Sequence, residues 1–177
     1  MKALLMNEEN MRRTLTRMAH EIIERCTDTK SLALVGVQRR GALLSDRLRS
    51  RIGELSGNYP DCGSIDISYY RDDLDRRDPV YRGIQLPFSI QDRPLILVDV
   101  VLFTGRTCRA AMEALFFHGR PASVQLAVLI DRGHRELPFR ADYVGKNIPT
   151  ALSESVKVCM REEDGVDAVF LCDKDES

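Results

Sequence analysis

The sequence predicts an α/β domain built on an open, mostly parallel sheet flanked by helices. Short apolar runs at 32–37, 95–98 and 124–130 alternate with stretches of helical period. The runs also end in glycine, hydroxyl and arginine chemistry suited to ligands. Runs that are apolar throughout fit strands covered on both faces, and helices between them imply parallel crossovers. Ligands bind such sheets beyond the carboxyl ends of the strands, here after Val37, Tyr70, Val98 and Ile130. A chain of 177 residues that is 44% hydrophobic builds one core, so a single domain over 1–177 is expected, with a short disordered tail near 173–177.

Each element has its own signal. Asn7 followed by Glu8 and Glu9 reads as a helix cap with acids in the first turn, and Met11, Leu15, Met18, Ala19, Ile22 and Ile23 then recur at helical spacing. The run 32–37 is a buried strand, and Leu44, Leu48 and Ile52 mark a second helix. Ile65, Ile67 and Tyr69 alternate, which predicts a strand over 64–70, and the charged stretch 71–82 after it reads as a mobile loop. Pro94 opens the strand 95–98. Cys108, Ala111, Met112, Leu115 and Phe116 then line one face of a third helix that Gly119 ends, before the last buried strand at 124–130.

Composition excludes several classes. A formal net charge of −1 rules out a uniformly basic coat, so any nucleic-acid contact must come from a local patch. Five cysteines without a C-x-x-C pair or zinc spacing fit reduced thiols and a cytoplasmic protein, and no protein-held metal is expected. Residues 1–6 are too short for the apolar core of a signal peptide, and no stretch approaches the roughly 20 apolar residues that cross a bilayer, so no membrane partner is expected.

The most informative segment runs from Leu95 through Asp99, Val100 and Phe103 to Thr104, Gly105, Arg106 and Thr107. The last four residues place first-turn N–H groups and two hydroxyls at a helix start, where a phosphate monoester fits. Gly105 permits close approach of the backbone. Asp99, at the end of the strand, can accept hydrogen bonds from sugar hydroxyls; a plain turn former is its other reading. Arg39 and Arg40, beside Gly41, read either as a diphosphate-binding loop or as a solvated turn. Arg71 is a candidate anion contact in the charged loop. Arg132 can donate to a pyrimidine carbonyl with Asp131 orienting it, or the two form an internal ion pair.

On these residues the chain resembles the type I phosphoribosyltransferases, which mark their phosphoribosyl pyrophosphate (PRPP) site with an apolar strand, two adjacent acids and T-G-x-T. The resemblance implies their fold, with a small hood region. Here the second acid is Val100. Loss of one charge-assisted hydrogen bond costs on the order of 1.5–3 kcal/mol, so weakened catalysis is expected. The blocks Tyr70-Arg71-Asp72-Asp73-Leu74 and Asp131-Arg132-Gly133-His134-Arg135-Glu136-Leu137-Pro138 narrow the resemblance to the PyrR-type regulators of pyrimidine operons.

That resemblance implies several expectations. UMP or UTP is the signal, PRPP with Mg²⁺ and uracil are the substrates, and the leader mRNA of pyrimidine operons is a partner of a homodimer or higher homo-oligomer. Asp99 and Arg71 serve catalysis, and Arg39, Arg40, Thr104, Gly105, Arg106, Thr107, Asp131 and Arg132 bind the ligand. Two basic clusters match family positions implicated in RNA binding: Thr16, Arg17, His20 and Arg25 on the first helix, and His134, Arg135, Arg140 and Lys146 later in the chain. By their residues alone, both clusters also fit an ordinary solvated surface. A salvage transferase without an RNA role and a regulatory binder without catalysis are the alternatives.

Overall fold

The computed structural model describes residues 1–71 and 83–174. The loop expected over 71–82 lies outside these residues apart from Arg71, as do 175–177 of the expected tail. The chain opens with β1 (Ala3–Met6) and α1 (Glu8–Arg25). Asn7 caps α1, its side chain accepting the Asn10 N–H at 2.9 Å, while Glu8 and Glu9 face the positive end of the helix dipole. Then come β2 (Ala33–Val37), buried throughout, and α2 (Arg40–Ser56), which buries Leu44, Leu48 and Ile52.

β3 (Asp61–Ile65) begins and ends earlier than the alternation at 64–70 predicts. The cause is local. The Asp66 carboxylate accepts both the N–H of Ser68, at 2.9 Å, and its hydroxyl, which bends the chain into the 3₁₀ turn Ser68–Tyr70. β4 (Pro94–Leu102), α3 (Arg106–His118), β5 (Ser123–Asp131) and β6 (Tyr143–Asn147) complete the main unit. Its five strands lie in the order β3-β2-β4-β5-β6, every pair parallel.

Side chains alternate across this sheet. Leu34, Ile96, Val98 and Leu129 pack under α1 and α2, while Val35, Val37, Leu97 and Val128 pack under α3. A hood follows, made of β7 (Glu154–Cys159), the short helix α4 (Arg161–Asp164) and β8 (Ala168–Asp173), with β1 joining it in an antiparallel sheet of order β1-β8-β7. β8 includes Asp173, so the ordered chain reaches into the stretch expected to be tail. No helix among the described residues is long and apolar enough to cross a membrane.

Strand lengths create the crevice. β2 last pairs with β4 at Gly36–Val98, whereas β4 continues beside β5 to Leu102–Asp131. Asp99 is therefore the first β4 residue past the last pairing with β2, level with the final β2 residue, Val37. A Cβ on Gly36 would lie 2.4 Å from both the Ala42 Cα and the Gly41 carbonyl oxygen, so backbone would have to move. Gly36→Ala is expected to cost about 2–3 kcal/mol, as overpacking does, and to lower Tm by roughly 5–10 °C in a domain of this size. Thermal unfolding by circular dichroism measures it, and an unchanged Tm would mean that α2 can shift freely.

Candidate functional site

α3 begins where the sequence expects a cradle. Gly105 is its N-cap at φ 92, a left-handed conformation that favours glycine, and a side chain there would also crowd Leu137 and Phe139. The first intrahelical bond runs from the Arg109 N–H to the Gly105 carbonyl at 2.9 Å. The N–H groups of Gly105, Thr107 and Cys108 precede that bond and have no acceptor inside the helix by position, while that of Arg106 leans on Thr104 Oγ1 at 3.3 Å. The Thr104 carbonyl accepts from the N–H groups of Glu136 and Leu137, which pins the loop from above. Arg71, Asp99, Thr104, Gly105, Arg106 and Thr107 all line one cavity of about 300 Å³.

Asp99 meets solvent only through the cavities it lines, and protein atoms crowd it elsewhere. Burial pushes its carboxyl up to about 7, against a partial opposing effect from the Val100 N–H, which donates to Oδ1 at 2.7 Å. Cys108, behind it, is pushed up to about 12 by burial and by the Asp99 charge. Asp99 also walls a second cavity, of about 560 Å³, with Gln38, Arg39, Arg40, Asp66 and Val100. Here the guanidinium groups do not reach inward. Arg39 Nε donates to Glu163 at 3.0 Å, and Arg40 pairs with Asp164 at 2.8 Å, so both are engaged by α4 of the hood. What the start of α2 leaves open by position is the backbone N–H of Arg39, Arg40 and Gly41.

Residues 4–163 match the family model described as phosphoribosyl transferase domain. The chain belongs to the phosphoribosyltransferase family. Within the family it is 54% identical over 177 residues to the bifunctional protein PyrR of Deinococcus radiodurans, covering 99% of this chain and 97% of that one. The PyrR of Bacillus pumilus is 52% identical over 177 residues, covering 98% of each chain. Among solved structures, a hypoxanthine phosphoribosyltransferase from Staphylococcus aureus superposes with a TM-score of 0.74 at 21% identity, covering 99% of this chain and 95% of that one. The Trypanosoma cruzi enzyme gives 0.74 at 23% identity, over 97% and 95%. Both support the phosphoribosyltransferase fold.

The pair Asp131 and Arg132 lines neither cavity of this phosphoribosyltransferase, and the two do not form the expected couple. Arg132 is buried, with Nε on Thr150 Oγ1 at 3.0 Å, Nη2 on the Glu154 carbonyl at 2.6 Å, and its guanidinium 4.0 Å from the centroid of Phe103. Its Nε and Nη2 donors are taken by the Thr150 hydroxyl and by main-chain carbonyls at Ala151 and Glu154. Asp131 instead accepts from Arg135 and from the Gly133 N–H. Arg135 in turn donates to the Phe103 carbonyl at 2.8 Å and the Phe139 carbonyl at 2.9 Å, so it staples the cradle loop and is turned away from the surface where the sequence placed it. His134 is exposed but stands beside Phe103, with Nε2 2.6 Å from the Thr150 carbonyl oxygen.

Of the remaining basic residues, Arg17, Arg25 and Lys146 hold main-chain carbonyls around the first helix and β6. α1 lies along β6: Arg17 reaches the Val144 carbonyl at 3.1 Å, and Arg25 reaches the Asp142 carbonyl at 3.2 Å and covers the Tyr143 ring. Lys146 donates to the Leu5 carbonyl at 3.0 Å. His20 and Arg140 are exposed on the same two segments, and Thr16 folds back onto the Arg12 carbonyl. Two features escaped the sequence reading: the acids of α4, whose target lies over a hundred residues away, and Asp66, passed over inside an apparent strand.

Asp99 sets a pH dependence. Its folded-state value is raised from 3.8 to about 7, so its stabilising effect is fully present below about pH 4 and is lost as pH rises through 7. Asp99→Asn is therefore expected to gain stability relative to wild type by about 2 kcal/mol between pH 5 and pH 8. Urea unfolding at the two pH values measures it; a difference independent of pH would mean that Asp99 ionises like an exposed acid.

Proposed function

We propose that this phosphoribosyltransferase is a pyrimidine-responsive regulator: uridine nucleotides occupy the cradle and promote binding of pyrimidine-operon leader mRNA, so that transcription attenuates. The observation that carries the reading is the convergence of Asp99, Arg71 and residues 104–107 on one cavity of nucleotide scale, in a chain whose close relatives are named bifunctional PyrR proteins. The 5-phosphate of UMP or UTP would lie on the first-turn N–H groups of α3 and the hydroxyls of Thr104 and Thr107. Asp99 below it would accept from a ribose hydroxyl.

The transfer activity uses the same parts. In the reaction of uracil with PRPP, the bond from C1′ to diphosphate breaks, the bond from N1 to C1′ forms and the N1 proton passes to the departing diphosphate or water, giving UMP and diphosphate. Carboxylate charge at Asp99 would support the ribosyl cation that develops. The diphosphate would meet Arg71 and the backbone N–H groups at the start of α2, with Arg39 and Arg40 held back by Glu163 and Asp164. The described residues hold no group of three or more His, Cys, Asp or Glu able to bind a metal. As the family resemblance implies, Mg²⁺ would arrive with the PRPP substrate, held by phosphate oxygens and water, the hard oxygen ligands it prefers.

Two observations favour slow catalysis: Val100 offers no charge where the family has a second acid, and the two arginines of the diphosphate loop are already paired. A binder that senses nucleotide without turnover is accordingly the second reading. For RNA, the face shared by α1 and β6 presents Arg17, His20, Arg25, Arg140 and Lys146 as a local positive track in a nearly neutral protein. His134, exposed beside Phe103, would link that track to the nucleotide cavity, while Arg135 would act only by holding the loop around Phe103. The resemblance further suggests a homodimer or higher assembly, which light scattering measures directly.

Filter binding of a pyrimidine-operon leader RNA should show affinity that rises with UMP and falls steeply with salt; RNA affinity indifferent to both would remove the regulatory reading. Conversion of labelled uracil by Val100→Asp is expected to exceed wild type by about tenfold or more. Equal rates would mean that the absent acid is not what limits turnover.

A further inference from the structure

We propose that Arg109 is a positioning residue of this site: from the first turn of α3 it holds the Tyr70 carbonyl, so that Arg71 is presented to a diphosphate in the cradle cavity. The inference rests on the reading that this cavity takes a phosphoribosyl group.

Arg109 is tied to the cradle through its backbone, whose N–H makes the first helical bond to Gly105 at 2.9 Å. Its side chain extends the other way. Nη2 donates to the Tyr70 carbonyl, and Nη1 pairs with Glu113 at 2.7 Å on the next turn. Nε is buried with no acceptor among the described residues. A buried donor left unpaired is unfavourable, and an arginine so close to the surface could satisfy Nε by turning to water. It stays because reaching Tyr70 and Glu113 together fixes the plane of the guanidinium.

The receiving end is equally constrained. The Tyr70 N–H closes the 3₁₀ turn onto the Ile67 carbonyl at 2.8 Å, and the ring packs on the apolar cluster beneath α3. The carbonyl of Tyr70 belongs to the peptide that leads directly into Arg71. Arg71 lines the cavity with Asp99 and the cradle, whereas Arg109 does not. Arg109 thus acts on the ligand only through its neighbour, and transmits the position of the phosphate-binding turn to the residue that faces the leaving group.

This division predicts a ligand-selective effect. UMP has no diphosphate and relies on the cradle N–H groups and Asp99, so it should not register Arg109. PRPP should. Calorimetry of the full chain with Mg²⁺-PRPP and, separately, with UMP tests the idea in wild type, Arg109→Gln, Arg109→Lys, Arg71→Gln and the double glutamine variant. Arg109→Gln is expected to weaken PRPP by about tenfold, the loss of one charge-assisted contact, with UMP unchanged to within about twofold as the internal control for folding. Lysine should restore part of the loss. The double variant should bind PRPP no more weakly than Arg71→Gln alone, because both changes remove the same contact. Equal weakening of UMP and PRPP, or additive losses in the double variant, would overturn the positioning role. So would unaltered PRPP binding in Arg109→Gln while wild type binds both ligands. A wild type that binds neither ligand overturns the phosphoribosyl reading of the cavity, and the positioning role falls with it.

Discussion

Backbone touches backbone where α2 meets the ends of β2 and β4, and the geometry of both cavities depends on that contact. Gly36 allows the start of α2 against β2, and a Cβ on Gly41 would stand 2.7 Å from the Val98 carbonyl oxygen and 3.4 Å from the Asp99 Cα. The helix start is thereby brought to Asp99 from one side, while α3 begins a few residues beyond it on the other. One carboxyl stands between two helix N-termini, whose dipoles favour negative charge. Burial nevertheless dominates, and Asp99 holds its proton to near neutrality.

The hood supplies the counterpart. Arg39, Arg40 and Arg47 face Glu163, Asp164, Glu162 and Asp167 across the boundary between the two sheets. Several of these pairs are partly shielded from solvent, and the Arg47 guanidinium is held still more firmly in its charged form by Glu162 and Asp167 despite its burial. Hydrogen bonding to Arg47 and Arg40 likewise lowers the carboxyl values of Glu162 and Asp164. The hood is therefore docked by charge on the start of α2 and by Arg132 beside Phe103 in the loop before α3, one attachment beside each cavity.

The parts legible in the sequence were those with local causes. Asn7 capped its helix, the runs at 32–37, 95–98 and 124–130 became buried parallel strands, and Thr104 to Thr107 opened α3 around a left-handed glycine. The family resemblance added the hood, which composition alone does not reveal: its strands are short, and Val156 and Val158 give only a brief alternation. Long-range pairing stayed invisible. Nothing near Arg39 announces Glu163, and nothing near Arg132 announces the Glu154 carbonyl that receives its guanidinium. The strand expected at 64–70 failed for a local reason too, since the two hydrogen bonds that the Asp66 carboxylate accepts from Ser68 outweighed period-two alternation.

Both outer borders of the five-stranded sheet are occupied. Along β6, the Arg17 guanidinium covers main-chain carbonyls that another strand would need, and charged Lys146 stands in the same stretch. On β3, Ser64 and Gln85 exchange a pair of main-chain hydrogen bonds, an isolated bridge that covers the opposite border at that residue. Strand addition, the commonest route by which an open sheet recruits a neighbour or aggregates, is thus obstructed on either side. A strand arriving at either of these places would first have to displace the guanidinium or the bridge.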